Sequence, residues 1–338
     1  MRTSSVLRLL LPIAAGLVLA GCASSMARRA RPDLSGQTYV ITGASSGIGR
    51  GVALRLAALR ANVVLAARRT ELLNEVAAQA SAAGGTPLVV TTDVSVPNDM
   101  GRLAEAALAR FGRIDVWINN AGVGAIGRFE DIPLEDHAKL VDTNLKGVIY
   151  GSHVAIRQFK KQGGGTLVNI GSVESESPLA YHASYSATKH AVLGLGRALN
   201  EEMRLDGFPR IAVATVMPWA TDTPFFDHAA NYSAHAARMP AMDGPEKAVD
   251  AIVHASLFPR EEVPVGWKAR AALAAHWLTP DLAERTSANI VHKHQFELAP
   301  PAPATSGSVR QPVATGAGVD GGMRARMQRE QAEREHAR

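Results

Sequence analysis

Six short runs rich in β-branched and apolar residues recur along this chain, each followed by a longer stretch with helical spacing. The runs are TYVITG (38–43), NVVLAAR (62–68), PLVVTTDV (87–94), IDVWINNAG (114–122), GTLVNIGS (165–172) and RIAVATVMP (210–218). They are apolar almost throughout rather than alternating, which is the pattern of strands covered on both faces. Amphipathic stretches at 48–60, 70–83, 97–111, 133–161 and 182–206 lie between them. Strand–helix alternation predicts an α/β fold, a doubly wound parallel sheet flanked by helices on both faces and joined by right-handed crossovers. VPVGW (263–267) would add a seventh strand at an edge.

This pattern assigns residues 34–267 to one domain. Two helical patterns follow, ARAALAAHWLT and PDLAERTSANIVHKHQF, and form an extension over 268–298. From Ala299 the chain turns to Pro, Ala, Gly and Ser and then ends in MRARMQREQAEREHAR. The composition of 299–338 predicts a disordered tail, too poor in apolar residues to order itself, with room for a short terminal helix. A net charge of +5 with scattered arginines leaves no basic stripe with interleaved aromatics, so nucleic acid is not an expected partner. The histidines at 276, 292 and 294 lack partners at metal-ligand spacing, and no metal is expected.

The chain has a single cysteine, Cys22, which rules out a disulfide within it. MRTSSVLRLLLPIAAGLVLAGC has arginines at 2 and 8, an apolar run from Leu9 to Ala20 and then Gly21-Cys22. A basic start, a short apolar run and small residues describe a signal segment over 1–33 better than a spanning helix. Leu19-Ala20-Gly21-Cys22 resembles the lipobox of bacterial lipoproteins, which implies lipidation at Cys22 and attachment to a membrane. The alternative is an uncleaved anchor. Arg28, Arg29 and Arg31 follow the apolar run and would hold the domain on the cytoplasmic side.

Gly43-x-x-x-Gly47-x-Gly49 stands directly after the first strand and opens a helix. Glycines let the backbone turn sharply and approach a pyrophosphate, while the helix N-terminus offers free N–H groups and the positive end of its dipole. The end of the second strand should then read the adenosine ribose. An acid there would bond a free 2′-hydroxyl, whereas arginine would pair with a 2′-phosphate. Arg68 and Arg69 occupy that place, with no acid before Glu71, so NADP(H) is the expected cofactor over NAD(H). The plainer reading of the two arginines is a solvated pair preceding a helix.

Together these pieces resemble the short-chain dehydrogenase/reductase family, in its single-domain branch with the TGxxxGxG turn. The resemblance covers about 35–265. It rests on Thr42-Gly43-Ala44-Ser45-Ser46-Gly47-Ile48-Gly49, Asp93-Val94, Asn119-Asn120-Ala121-Gly122, Asn144, Ser172 and Tyr185-Ser186-Ala187-Thr188-Lys189. It implies a Rossmann-type fold, an NAD(P)-dependent oxidoreductase interconverting a carbonyl and an alcohol, and a homo-oligomer. A catalytically silent dinucleotide-binding sensor or scaffold is the alternative.

Such chemistry needs a proton for the oxygen left by hydride transfer. Tyr185 can donate it, and a cation nearby would lower the phenol's pKa. Lys189, one helical turn on, can supply that charge from the same face. Ser172, just past a strand's C-terminal end, can orient the substrate oxygen. The resemblance makes Tyr185 the general acid/base and has Lys189 also hold the nicotinamide ribose. It gives Asn144 a water that extends the proton relay. It further implies that Thr42, Ser45, Ser46 and Ile48 line the dinucleotide with the glycines, that Asp93 and Val94 meet the adenine, that Asn119, Ala121 and Gly122 line the ribose side, and that Pro218 and Thr223 approach the nicotinamide.

One residue departs from the family pattern. Trp219 stands where glycine usually follows Pro218, which puts the backbone approach there in doubt. The loop after Thr223 resembles a mobile substrate loop. Its Phe225, Phe226, Tyr232 and Met239 read equally as an apolar substrate wall or as packing against the C-terminal extension.

Overall fold

A computed structural model of the protein describes residues 32–336. The expectations for the first segment, Cys22 included, lie outside the described residues. The first half of the fold runs β1 (Thr38–Thr42), α1 (Gly47–Ala57), β2 (Asn62–Ala67), α2 (Thr70–Ala82), β3 (Thr86–Thr91), α3 (Pro97–Phe111), β4 (Val116–Asn119) and a short β5 (Ala125–Ile126). The expected helix over 133–161 is α4 (Leu134–Val141) and α5 (Gly147–Gln162), joined through a single π turn, Asp142–Lys146. Then come β6 (Gly165–Ile170), α6 (Ala183–Leu205), β7 (Ile211–Met217), α7 (Phe225–His228), β8 (Ala230–Asn231), α8 (Pro245–Leu257) and β9 (Glu262–Pro264). The extension is α9 (Gly266–Leu278) and α10 (Pro280–His292), and α11 (Met323–His336) closes the described chain.

Seven strands form one parallel sheet in the order β3-β2-β1-β4-β6-β7-β9, so the sheet expected from sequence is present with its seventh strand at the edge. Alternate residues of each strand face opposite layers. Tyr39, Ile41, Val63, Leu65, Val168 and Val216 pack under α1, α2 and α8 with Val52, Leu56, Leu73 and Ile252. Val40, Val64, Trp117, Leu167 and Val213 pack on the other side with Met100, Leu103, Phe159 and Met203. Both faces are covered, which is why the strands read as continuous apolar runs. The chain runs outward from β1 through β3 and then returns to the other side of β1 at β4. That reversal opens a crevice at the C-terminal ends of the strands.

The segment expected to be a disordered tail is instead laid along the domain, which from Leu34 onward is one compact unit. Asn231 and Thr305 exchange backbone bonds, Ser308 N donates to His228 O and Gly321 N donates to Asp222 O. Val309 and Met323 are buried. The Asp222 carboxylate, itself buried, accepts from Met323 N and Arg324 N at 2.9 Å each and so caps α11. Composition misjudges this segment because it needs no core of its own. It adds backbone hydrogen bonds to loops that are already fixed.

Candidate active site

The turn between β1 and α1 is tight for reasons local to its glycines. Gly43 has φ +69°, a left-handed conformation that costs glycine nothing. A Cβ on Gly49 would stand 2.3 Å from Gly43 O, so no larger residue fits where helix meets strand. Ser45 and Ser46 are fastened by Arg69, whose guanidinium donates to their hydroxyls at 3.1 and 2.7 Å. Thr42 lies behind the turn. Its Oγ1 accepts from Asn120 N and Ala121 N at 3.0 and 3.1 Å, tying the end of β4 to β1.

The turn opens into a cavity of about 430 Å³ at the crevice. Gly43, Ser45, Ser46, Gly47, Ile48, Arg68, Arg69, Asp93, Val94, Ala121, Gly122, Ser172, Tyr185, Lys189, Pro218 and Thr223 all line it. Of the expected site residues, Thr42, Gly49, Asn119 and Asn144 do not. Asn119 is a correction. Its side chain accepts from Trp117 Nε1 at 2.8 Å and donates to Asn169 Oδ1 at 2.9 Å inside the domain. As a strand residue it shares the face of Trp117, toward α5. Its neighbour Asn120 is the one that reaches the turn, with Nδ2 2.9 Å from Thr42 O.

Four donors at the nucleotide end are engaged by carbonyls of the C-terminal segment. Gly47 N donates to Gly318 O at 2.8 Å, and Arg50 to Ala317 O at 2.7 Å. Arg68 donates to Ser308 O at 2.7 Å, and Arg69 to Val313 O and Thr315 O at 3.3 and 3.2 Å. The two arginines are therefore not a solvated pair. Burial holds both below the usual arginine range; Asp93 opposes this at Arg68, and the Arg68 charge adds to it at Arg69.

At the other end Ser172 follows β6, and its Oγ accepts from Glu174 N at 3.1 Å. Tyr185 and Lys189 come from the first turns of α6. Lys189 is buried, donates to Ile170 O at 2.6 Å and lies 5.5 Å from the Tyr185 ring centroid. Burial pushes its ammonium down to about 8, against a rise from Glu174. The Tyr185 phenol is held above its ordinary range, first by burial and then by the Glu174 charge, with a hydrogen bond to Ser172 pulling the other way. Sequence reasoning expected the lysine to lower the phenol. In the structure, desolvation and the neighbouring carboxylate raise it instead.

Asn144 sits in the π turn and is fully buried. Its Oδ1 accepts from Val123 N and its Nδ2 donates to Val123 O, both at 2.8 Å. The side chain thus holds the loop after β4, and single π turns of this kind recur where a helix must aim a functional group. A Cβ on Gly122 would lie 3.4 Å from Asn144 Oδ1 and 3.9 Å from Lys189 Nζ, so the three meet closely.

The sequence reading missed Glu174 and His182. Glu174 is buried, takes a hydrogen bond from Ser186 Oγ at 2.6 Å and pairs with His182 Nδ1 at 3.2 Å. Both line the cavity beside Tyr185. No spacing rule flags an acid two residues after Ser172. Leu179, Phe225, Phe226, Met239, Ile290 and Val291 give the cavity an apolar wall, with the Phe225 ring centroid 5.6 Å from that of Tyr185. Phe226 and Met239 also pack with Met323 of α11, in the segment beyond the extension. Tyr232 does not line the cavity and packs with Val309 instead. Trp219 lines the cavity with its Nε1 bonded to Ala241 O at 2.9 Å.

The short chain dehydrogenase family profile matches residues 37–232. The oxidoreductase YxnA of Bacillus subtilis is 34% identical over 275 residues, 80% of this chain and 76% of that protein. The oxidoreductase SH0585 of Staphylococcus haemolyticus is 34% identical over 67% of this chain and 94% of its own. Among solved structures, a short chain dehydrogenase/reductase from Burkholderia phymatum in complex with NAD is 26% identical. It has a TM-score of 0.65 and covers 74% of this chain and 96% of that one. An alcohol dehydrogenase from Thermococcus sibiricus complexed with 5-hydroxy-NADP is 27% identical, with a TM-score of 0.58 over 67% of this chain and 93% of its own. The chain belongs to the short chain dehydrogenase family and is an oxidoreductase.

Proposed function

We propose that the protein is an NADP(H)-preferring carbonyl reductase/alcohol dehydrogenase in which Tyr185 is the general acid/base. The observation that carries this reading is the convergence of Tyr185, Ser172 and Lys189 at one end of a crevice whose other end is lined by Arg68 and Arg69. The residues fit a phosphorylated dinucleotide. A helix N–H and two arginines already hold carbonyl oxygens, the same acceptor chemistry that phosphate oxygens offer more strongly. Binding therefore exchanges tail carbonyls for phosphates. Arg68 and Arg69 would take the 2′-phosphate, and Gly47 N the pyrophosphate.

The nicotinamide ring supplies or accepts the hydride when bound. Ser172 and Tyr185 orient the substrate oxygen, and the phenol proton passes to it as negative charge develops. Lys189 is the cation nearest the phenol and stabilises the phenolate left behind. Asn144 fixes Val123, and with it the loop at Gly122 against which Lys189 lies. Steady-state NADPH oxidation against a panel of ketones and aldehydes tests the reading.

Membrane attachment through a lipid on Cys22, with an uncleaved anchor as the alternative, belongs to the same proposal. It is read by labelling parent and Cys22→Ser protein with a lipid probe, together with protease accessibility in intact cells. Self-association as a homo-oligomer is supported by the apolar side chains that α9 and α10 leave exposed, Trp277, Leu278 and Leu282. Light scattering of the purified protein measures it.

A further inference from the structure

Glu174 and His182 form a buried couple that proton transfer at Tyr185 does not require. Both oxygens of the carboxylate are committed, one to Ser186 Oγ at 2.6 Å and the other to His182 Nδ1 at 3.2 Å. An ionised carboxylate accepts only, so Nδ1 carries the proton and the ring is held in one tautomer and one orientation. His182 Nε2 has no hydrogen-bond partner among the described residues, and the ring lines the cavity. Its ring centroid is 6.4 Å from that of Tyr185, edge to face.

The backbone is bent to place it. Tyr181, the residue before, has φ +68°, a left-handed conformation that is strained for an aromatic residue. Tyr181 is held there from the C-terminal extension. Its hydroxyl bonds His292 Nδ1 at 2.8 Å and its ring packs on Phe296 at 4.5 Å. Strain of this kind persists where the surroundings fix a side chain for use.

We propose that His182 is a specificity-determining residue, its Nε2 bonding a second hydroxyl close to the reacting carbon, and that the preferred substrates are hydroxy ketones and the corresponding diols with an apolar remainder. Glu174 is the positioning residue for that contact. A hydroxyl suits the site because it donates to the neutral ring and accepts from the protonated one. The apolar wall of Leu179, Phe225, Met239 and Ile290 suits the remainder of the molecule. The proposal rests on the reductase reading above.

The test measures NADPH oxidation by the full chain with benzoin and with deoxybenzoin, which differ only in the hydroxyl. The parent enzyme should favour benzoin in kcat/KM by roughly tenfold or more. His182→Leu should erase that preference, with the rate on deoxybenzoin falling by a much smaller factor. Glu174→Gln, which keeps the shape and loosens the ring, should reduce the preference mainly through KM. His182→Gln should restore part of it. Equal losses on both substrates, or a parent enzyme indifferent to the hydroxyl, overturn the inference while the reductase reading stands. Absence of turnover on every carbonyl overturns the reductase reading and this inference with it.

Discussion

Lys189 lies 5.5 Å from the centroid of the Tyr185 ring, with its ammonium bonded to the Ile170 carbonyl at 2.6 Å. The two side chains leave the same face of α6 one turn apart, yet the strand end, not the phenol, holds the lysine. Glu174 shares their surroundings, raising the phenol and partly offsetting the fall of the ammonium. The charge state of this end of the cavity is thus set by three groups from two elements.

Tyr185→Phe should lower turnover by about 10²–10⁴-fold, the usual worth of a positioned proton donor. NADPH binding, followed by fluorescence, should survive. The phenol stays protonated across the neutral range because its pKa is raised. Alcohol oxidation, which needs the phenolate, should therefore speed up as pH rises through the alkaline range. Carbonyl reduction should gain nothing there. A Phe variant with near-parental rate leaves the phenol without a role.

Lys189 gives a stability signature separate from activity. Its pKa falls from 10.5 to about 8 on folding. Between those values the unfolded chain holds a proton that the folded chain has lost, so stability rises with pH across that window. The buried charge costs about 3 kcal/mol at neutral pH. Lys189→Met lacks this dependence. Its stability relative to the parent should drop by about 3 kcal/mol between pH 7 and 10.5, read from urea midpoints. The same variant should lose turnover and bind NADPH more weakly.

Arg68→Asp should lower the NADPH/NADH preference by roughly tenfold or more, since a charge-assisted contact is replaced by repulsion. Kd values for the two nucleotides check it. An unchanged ratio removes Arg68 from cofactor selection.

Asp222→Ala should free α11 by removing the cap on Met323 N and Arg324 N. The cost is about 1–2 kcal/mol. Limited proteolysis should then cut within 299–322 faster while the sheet domain stays intact. Loosening this segment releases Gly47 N, Arg50, Arg68 and Arg69 from its carbonyls, so NADPH should bind more tightly. Weaker binding would show that the segment builds the nucleotide site rather than competing for it.

Sequence by itself determined what depends on near neighbours. Apolar runs and helical spacing fixed the layers, because a strand buried on both faces and a helix buried on one leave different periods. Gly43 and Gly49 marked the turn through their own backbone requirements, and the four-residue spacing put Tyr185 and Lys189 on one face. Tertiary structure decided what depends on residues far apart in the chain. Asn119 turns inward because β4 places it on the side of Trp117. Glu174 meets His182 because the turn after β6 folds against the start of α6. Residues 308–318 lie on Arg50, Arg68 and Arg69 because those donors and the Asp222 cap exist elsewhere to receive them. Hydrogen bonds between distant segments leave no periodicity in either one, so only the folded chain reveals them.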